Sequence, residues 1–357
     1  MKVTGRCYAK PVADTLPRIW ILSRGRKGDL DQMLVLARAV GWPFEVKELR
    51  FAGPEFPVLS RLLLRNSAEA LTPPWPDLVL CAESLPSVIA RYVKEVSGGK
   101  TRAVCIGRPA GSAAGFDLVI TTAQYRLPPA SNVVEIAMPI AAEAAPAAVP
   151  SPPDGPIAVI VGGPAFPDRL DHAAALALAA DMLAYAKTRN SVLAVHTSPR
   201  TSKDVISALA STITAPHRLH LFGQGENRYR EILSKASEIV VTSDSVSMVS
   251  DGLNAGKPVS IYPLPQRNSV KLRLGEWLYR NSVETPALGT APIRWLFDSG
   301  LIEVAADRRK LFARLVAESR LGWFGEPQVP PQPKAASKDL ARAVDALRAV
   351  MARGDCL

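Results

Sequence analysis

Residues 239–265, IVVTSDSVSMVSDGLNAGKPVSIYPLP, constrain the fold more than any other stretch of the chain. The uninterrupted β-branched run at 239–241 is typical of a parallel strand that is buried on both faces. A second strand of this kind begins after Pro258. The apolar residues between the two strands recur at helical spacing: Val246, Val249 and Leu253. Because Gly256 then supplies a left-handed helix stop, the stretch predicts a strand, turn, helix and strand in succession.

The polar turn at residues 242–245 follows the first of these strands directly. Open α/β sheets bind their ligands at this place, outside the carboxyl ends of the strands. The helix that follows the turn presents unpaired backbone N–H groups and the positive end of its dipole, which favours a phosphate. A purely structural role explains the same residues, because any such unit needs a polar helix cap and a glycine stop. The residues alone leave both interpretations open.

The alternation of buried strands with helices extends through the chain. Further strands are predicted at 18–22, 44–46, 76–80, 103–106, 116–120, 132–136, 157–161 and 191–195. An Ala/Pro-rich stretch without periodicity separates two groups of strands. We therefore predict an α/β fold of two Rossmann-like domains that face a cleft. The predicted parts are a first domain at 1–145, a linker at 146–156, a second domain at 157–330 and a terminal helix at 335–357 that packs back on the first domain.

Two segments carry a family resemblance. One is GENRY at residues 225–229 with the VTSDSVSMVSDGLNAGKPV run that follows it, and the other is the pattern GxxGDxxQ that starts at Gly25. Together they resemble the mitochondrial fission ELM1 family, and the serine-rich run is similar to the nucleotide-sugar motif of GT-B glycosyltransferases. The resemblance implies a GT-B-like fold and an enzyme that uses a nucleotide-diphosphate sugar, UDP type, with no metal or other cofactor.

The resemblance also assigns residues to two sides of the cleft. In the second domain it implies that Asp251 binds the ribose and that Ser245, Ser247 and Arg200 bind the diphosphate. The full donor-side set is Gly163, Arg200, Thr201, Gly225, Asn227, Asp244, Ser245, Ser247, Met248 and Asp251. In the first domain the loop with Gly25, Gly28 and Gln32 faces the acceptor.

Asp29 and Glu83 are the candidate catalytic bases. Both follow predicted strands of the first domain, and the helix after the first strand is expected to start at Asp31. An acceptor hydroxyl must lose a proton as it attacks the sugar, and a positioned carboxylate can take that proton. For each residue a helix-capping role is the alternative.

Composition limits the partners. The net charge is +10, which favours nucleic acid, anionic lipid or phosphorylated substrates. No nucleic-acid motif is present, and aromatic residues make up only 6% of the chain, so we predict no nucleic-acid partner. Residues 50–65 combine arginines with leucines and phenylalanines, which predicts peripheral membrane contact, with an ordinary core helix as the alternative. The four cysteines form no CxxC pair, and we predict no metal site.

The sequence leads to three hypotheses for function. The first is a glycosyltransferase at the cytosolic face of a membrane, for which a lipid-linked acceptor is one option. The absence of a long apolar run and of a signal-peptide pattern predicts a cytoplasmic location, including the inner face of a membrane. The second hypothesis is a nucleotide-sugar epimerase, and the third is a non-catalytic adaptor recruited to a membrane. Nucleotide binding separates both enzymes from the adaptor.

Overall fold

The computed structural model describes residues 16–51, 64–65, 71–140, 154–267, 269–331 and 335–352. The strands in this part of the chain are β1 (Ile19–Ser23), β2 (Phe44–Glu48), β3 (Arg50–Phe51), β4 (Leu64–Arg65), β5 (Leu78–Ser84), β6 (Arg102–Pro109), β7 (Leu118–Thr121), β8 (Val133–Glu135), β9 (Ile157–Val161), β10 (Leu193–Thr197), β11 (Arg218–His220), β12 (Glu238–Thr242), β13 (Val259–Tyr262) and β14 (Gly322–Trp323). The α-helices are α1 (Lys27–Val40), α2 (Leu85–Val96), α3 (His172–Thr188), α4 (Lys203–Thr212), α5 (Tyr229–Lys235), α6 (Val246–Asn254), α7 (Val270–Tyr279), α8 (Ala291–Asp298), α9 (Arg308–Ala317) and α10 (Ala335–Ala352). Two 3₁₀ turns, Ala113–Gly115 and Ala123–Tyr125, and a π-helical turn, Arg280–Glu284, complete the regular elements of the described residues.

The strands form two parallel six-stranded sheets and a small antiparallel β3–β4 pair. The first sheet has the order β2-β1-β5-β6-β7-β8, and the second has the order β11-β10-β9-β12-β13-β14. The second order is that of the dinucleotide-binding Rossmann fold, and the first is that of the flavodoxin-like variant. The predicted α/β fold with two Rossmann-like domains is therefore confirmed. In each sheet the strand order reverses once, between β1 and β5 and between β9 and β12, and ligands bind at such reversals.

The sheets are buried because helices cover both faces. All five residues of β9 and all five of β1 are buried, as the continuous apolar runs predict for parallel strands. Helix α1 starts at Lys27, four residues before the expected start at Asp31. The cause is local: Gly25 has φ +77° and turns the chain early, so the helix begins at once after the loop.

Residues 270–307 leave the second sheet and pack on the first domain. The Ser112 N–H donates to the Asp298 carbonyl at 2.8 Å, and the Tyr279 hydroxyl donates to the Arg126 carbonyl at 2.6 Å. The Arg126 guanidinium binds both oxygens of Glu284, at 2.8 Å and 3.0 Å, and also contacts Glu276. These hydrogen bonds and ion pairs hold the two domains together on one side of the cleft.

Helix α10 returns to the first domain. Its buried residues Ala343, Val344 and Leu347 share a core with Met33 and Leu36 of α1. The Asp339 carboxylate accepts hydrogen bonds from the backbone N–H groups of residues 137 and 138 at 3.0 Å and 3.1 Å.

Of the segment 50–65, the β3 and β4 residues are described and pair with each other. The remainder of that predicted membrane-contact segment lies outside the described residues.

Candidate functional site

The loops that follow the strands of the two domains meet at the start of α9. The Asp307 N–H donates to the carbonyl of Gln124, in the turn after β7, at 2.8 Å. The next residue, Arg308, binds Asp168, in the loop after β9, with Nη2 at 3.2 Å from Oδ2. A cavity lies beside this junction and is lined by Pro167, Asp168, Gln266, Leu272, Glu276, Ala305, Ala306, Asp307 and Arg308. The carboxyl edges of both sheets thus open toward one shared cleft.

In the first domain these strand ends enclose a small pocket, here named the Glu83 pocket. Its polar lining residues are Asp29, Gln32, Glu83, Thr121, Thr122 and Tyr125. Glu83 lies near the end of β5, the strand next to the reversal of strand order, and the rest of the pocket lies at the ends of β6 and β7 and beside α1. The threonine hydroxyls are buried and have no hydrogen-bond partner among the described residues. The pocket therefore offers two carboxyl groups and unpaired hydroxyls in one enclosed place.

The pKa of Glu83 lies in the range that a general base needs. Burial, together with the nearby Asp29 carboxylate, raises the pKa of Glu83 to about 7, while a hydrogen bond from Tyr125 opposes the shift. Burial likewise raises the pKa of Asp29, although Arg26 and Arg24 oppose it. A carboxyl with a pKa near neutrality can both take and return a proton at physiological pH.

The backbone beside Glu83 is strained. Ser84 has φ 67° and ψ −136°, a conformation that costs a non-glycine residue about 1–3 kcal/mol. It lies at the junction of β5 and α2, where no side chain caps the helix. Glu83 therefore does not serve as a helix cap, and the strained turn presents its side chain to the pocket. Gly107 makes room, because a Cβ there would lie 3.4 Å from both Glu83 and Tyr125.

The predicted acceptor-side loop reaches the same pocket only through Gln32, beside the candidate base Asp29. Asp29 lies in the first turn of α1, whose cap position is Arg26 with no side-chain cap hydrogen bond, so the capping alternative for Asp29 is wrong. Gln32 lines the pocket and its amide donates to the Gly28 carbonyl at 3.4 Å. Gly25 and Gly28 are exposed at the loop and at the helix start.

Sequence reasoning missed three polar residues of this pocket, Thr121, Thr122 and Tyr125, of which Tyr125 contacts Glu83. Its hydroxyl bonds the Glu83 carboxyl, and burial together with the charges of Glu83 and Asp29 raises its pKa well above the ordinary value. No motif marks it in the sequence. The usable signal is its place, just after β7 in a sheet whose strand ends carry the other pocket residues.

In the second domain residues 242–245, here named the Asp244 turn, are buried. The Gly163 N–H donates to Asp244 Oδ2 at 2.7 Å, and Arg200 Nη2 lies 3.7 Å from the same oxygen. A Cβ on Gly162 would lie 1.9 Å from Asp244 Oδ2, and one on Gly163 would lie 2.4 Å from the Arg200 carbonyl oxygen. Both glycines are therefore needed for close packing of three strand ends, and Asp244 binds protein atoms at this junction.

Further hydrogen bonds brace the same strand ends. Thr201 is buried and its hydroxyl donates to the Gly162 carbonyl at 2.5 Å. The Ser243 hydroxyl donates to Asp168 Oδ2 at 3.4 Å and accepts the Leu264 N–H at 3.0 Å. Burial raises the pKa of Asp244, and the hydrogen bonds from Thr242 and Gly163 oppose that shift. The predicted donor-side residues Gly163, Thr201 and Asp244 thus lie together in this brace.

The start of α6 remains available to a ligand. Its cap residue Ser245 makes no side-chain cap hydrogen bond, and its hydroxyl lies 3.3 Å from that of Ser247, which is exposed. The exposed guanidinium of Arg200 reaches the rim of the Asp244 turn. Met248, by contrast, packs its side chain against the core of the sheet. An uncapped helix start beside an arginine is a favourable place for an anion.

One turn further along α6 lies the predicted ribose site. Asp251 is exposed, and its Oδ2 accepts the Tyr229 hydroxyl at 2.9 Å. Partial burial raises the pKa of Asp251, while the Tyr229 hydrogen bond opposes the shift. The Asn227 side chain accepts the Tyr229 N–H at 3.1 Å, and the Tyr229 ring packs on His196 with ring centroids 5.3 Å apart. Gly225, with φ +71°, shapes the exposed loop before α5.

The described residues contain no group of three or more His, Cys, Asp or Glu side chains arranged to hold a metal ion. Among the described helices, none combines the length and the apolar character that crossing a bilayer requires.

Several solved structures resemble the chain. MurG of Acinetobacter baumannii is 13% identical, with 91% of this chain and 98% of that chain covered and a TM-score of 0.42. S. aureus MnaA in complex with UDP is 11% identical, with 85% and 96% covered and a TM-score of 0.45. The UDP-GlcNAc 2-epimerase from Neisseria meningitidis bound to UDP-GlcNAc is 10% identical, with 94% and 99% covered and a TM-score of 0.42.

Sequence comparison assigns the family. No curated protein shows significant sequence similarity to the chain. The model of the family described as mitochondrial fission ELM1 matches residues 27–292. Since this match spans well over half of the 357 residues, the chain belongs to the mitochondrial fission ELM1 family.

Proposed function

We propose that the chain transfers a glycosyl group from a nucleoside-diphosphate sugar to an acceptor hydroxyl. The observation that carries the proposal is the arrangement of the cleft. An enclosed carboxyl with a pKa of about 7 lies at the strand ends of one domain. An uncapped helix start with a nearby arginine lies at the strand ends of the other. Proton acceptance and anion stabilisation are the two requirements of this reaction.

The donor is proposed to bind along α6, with UDP as the first nucleotide to test. Its diphosphate would meet Ser247, the open N–H groups of the first turn and Arg200, which binds phosphate oxygens in a planar fork. Asp251 would accept hydrogen bonds from the ribose hydroxyls, and the loop at Gly225 and Asn227 would contact the base. Gly163, Thr201 and Asp244 would support this surface, since the Gly163 N–H donates to Asp244 and the Thr201 hydroxyl donates to the Gly162 carbonyl.

One hydroxyl of the acceptor is proposed to reach into the Glu83 pocket, whose free volume is about 20 Å³. One acceptor hydroxyl donates its proton to the Glu83 carboxylate as its oxygen bonds to the anomeric carbon. The bond between that carbon and the diphosphate oxygen breaks, and the nucleoside diphosphate leaves with the electron pair, stabilised by Arg200 and the α6 dipole. The unpaired hydroxyls of Thr121 and Thr122 supply further hydrogen bonds to a hydroxyl-rich acceptor, and a lipid-linked sugar is one such acceptor.

A second candidate, nucleotide-sugar epimerisation, has one observation in its favour. Asp29 and Glu83 line the same pocket and interact electrostatically. Two carboxyl groups whose pKa values are coupled can act as an acid and base pair on one substrate. The product distinguishes the reactions, because an epimerase returns the sugar still attached to the nucleotide.

The test is product analysis with a panel of nucleotide sugars. The purified chain is incubated with each donor, without acceptor and with membrane lipid extract, and the nucleotide products are separated by chromatography. Release of a nucleoside diphosphate that depends on Glu83 supports transfer, and a changed sugar on an intact nucleotide supports epimerisation. If no donor binds or turns over, the adaptor hypothesis replaces both.

A further inference from the structure

Residues 270–302, here named the α7–α8 lobe, concentrate exposed apolar surface. The described residues include fourteen exposed large apolar side chains, and seven of them lie in this lobe. The seven are Val270, Leu274, Trp277, Leu288, Trp295, Leu301 and Ile302. Since the lobe contains only 33 of the 357 residues, the concentration is local. Contiguous exposed apolar surface marks sites of interaction with a protein or a membrane.

The exposed apolar residues of α7 form one stripe. Val270, Leu274 and Trp277 follow the spacing i, i+4 and i+7, and they are 71%, 54% and 55% exposed. Tyr279 lies on the opposite side of the helix and is completely buried. It forms a small core with Phe297 of α8, while Trp295 of the same helix is 61% exposed. Both helices thus bury one face in a shared core and present tryptophan on another face.

The acidic side chains Glu276 and Glu284 of the lobe face the first domain, whereas several of its basic side chains face solvent. The acidic side chains of Glu276 and Glu284 bind Arg126 of the first domain. Lys271, Arg273 and Arg280 are exposed, and among the described residues no ion pair within 4.0 Å joins them to a carboxylate. The outward surface therefore combines cations with tryptophan and aliphatic residues.

This combination fits an anionic bilayer better than a second copy of the chain. Basic and aromatic residues around an apolar stripe are typical of helices that lie in the headgroup region, where tryptophan prefers to reside. Each cation near an anionic surface adds attraction. A two-fold contact between two lobes would instead place the same cations against each other.

We propose that the α7–α8 lobe docks the protein on an anionic lipid surface. The α7 stripe inserts among the acyl chains at the interface, and Lys271, Arg273 and Arg280 contact the headgroups. The inference stands apart from the proposed function, because docking requires no glycosyl transfer. The lobe also borders the Glu83 pocket, since the Tyr279 hydroxyl binds the carbonyl of Arg126, the residue after Tyr125. Docking there holds the pocket beside the bilayer.

The test is co-sedimentation of the full chain with vesicles of phosphatidylcholine alone or mixed with phosphatidylserine. We expect binding to the mixed vesicles that weakens between about 0.1 M and about 0.5 M salt, because screening removes the headgroup attraction. The double variant Leu274→Ser/Trp277→Ser should bind roughly tenfold or more weakly. The double variant Lys271→Glu/Arg273→Glu should lose roughly tenfold or more on mixed vesicles.

Matched controls lie on the second domain. Leu176→Ser removes an exposed leucine of α3, and Lys187→Glu/Lys203→Glu reverses two exposed charges; both should bind like the wild type. Circular dichroism melts verify that each variant is folded. The proposal is overturned if the wild type ignores the mixed vesicles, or if lobe and control variants bind equally. It is also overturned if light scattering shows a dimer that Leu274→Ser/Trp277→Ser dissociates.

Discussion

The Glu83 pocket and the Asp244 turn occupy the same topological place in their two domains, yet they surround a carboxyl group differently. Asp244 receives a backbone N–H and lies near a guanidinium. Glu83 meets a second carboxyl group and a tyrosine hydroxyl. The first arrangement fixes a junction of strands, whereas the second leaves a proton that exchanges near neutral pH. The reversal of strand order therefore marks where a site can form, and the side chains decide its chemistry.

The two domains therefore have different roles in the proposed reaction. In the second domain the buried polar groups of the Asp244 turn bind the loop that follows β9, and the surface that remains for a ligand consists of Arg200, Ser247 and Asp251. In the first domain the strained backbone at Ser84 and the small Gly107 leave the Glu83 side chain facing an enclosed space. Substitutions at the two places should therefore differ in kind, with lost chemistry in one domain and lost stability or binding in the other.

The largest expected effect is on turnover in the first domain. Glu83→Gln should reduce kcat by roughly 10²-fold or more, because it removes the general base. In the wild type, kcat/KM should rise as the pH increases through about 7, the pKa of Glu83. Asp29→Asn should shift that inflection to lower pH, since it removes the carboxylate that raises the Glu83 pKa. Equal kcat in Glu83→Gln and wild type, measured by nucleotide release, removes Glu83 as the base.

The next effect is on stability in the second domain. Gly162→Ala places a Cβ against Asp244 Oδ2 and should lower the free energy of unfolding by about 2–3 kcal/mol, as overpacking does. Gly28→Ala is the matched control, because no atom lies within 4 Å of its added Cβ and alanine favours helix α1. Urea denaturation of both variants measures the difference. Equal stability of the two variants would mean that the Asp244 turn is not a tight junction.

The pH dependence of stability sharpens the same comparison. The pKa of Glu83 is raised from 4.5 to about 7 in the folded state. Between these values the unfolded chain ionises this residue while the folded chain holds the proton, so Glu83 lowers stability as the pH rises. Relative to wild type, Glu83→Gln should therefore gain about 3 kcal/mol between pH 4 and pH 8. A pH-independent difference in urea denaturation would show that Glu83 ionises freely in the fold.

The smallest effect concerns the proposed ribose contact. Asp251→Ala should weaken binding of UDP about tenfold, since a pair of hydrogen bonds to a carboxylate is lost. Asp251→Glu is the control that keeps the charge. Calorimetric titration of the three proteins measures the dissociation constants. Unchanged affinity in Asp251→Ala would remove this residue from the donor site.

Local patterns in the sequence predicted the main elements well. The β-branched runs and the glycine stops mark the strands and the ends of helices such as α6, because these signals act within a few residues. The early start of α1 was missed, since Gly25 ends the loop sooner than the spacing of apolar residues suggests. The α/β alternation sufficed to predict two Rossmann-like domains.

The contacts between site side chains could not be predicted from local sequence patterns. The sequence predicts Asp244 as a donor-side ligand, but Asp244 and its neighbour Ser243 bind Gly163 and Asp168, which follow another strand about 80 residues away in the chain. Tyr125 meets Glu83 only because β5 and β7 flank the same strand of the sheet. Contacts of this kind depend on strand order, which a single sequence does not display.

The central claim is that the strand ends of both domains hold one sugar diphosphate between them. A crystal structure of the chain with a non-transferable UDP sugar tests it most directly. The account predicts diphosphate oxygens within about 3 Å of Arg200 and Ser247, with the sugar turned toward Glu83. A nucleotide bound elsewhere, a sugar turned away from the Glu83 pocket, or no binding at saturating ligand would contradict it.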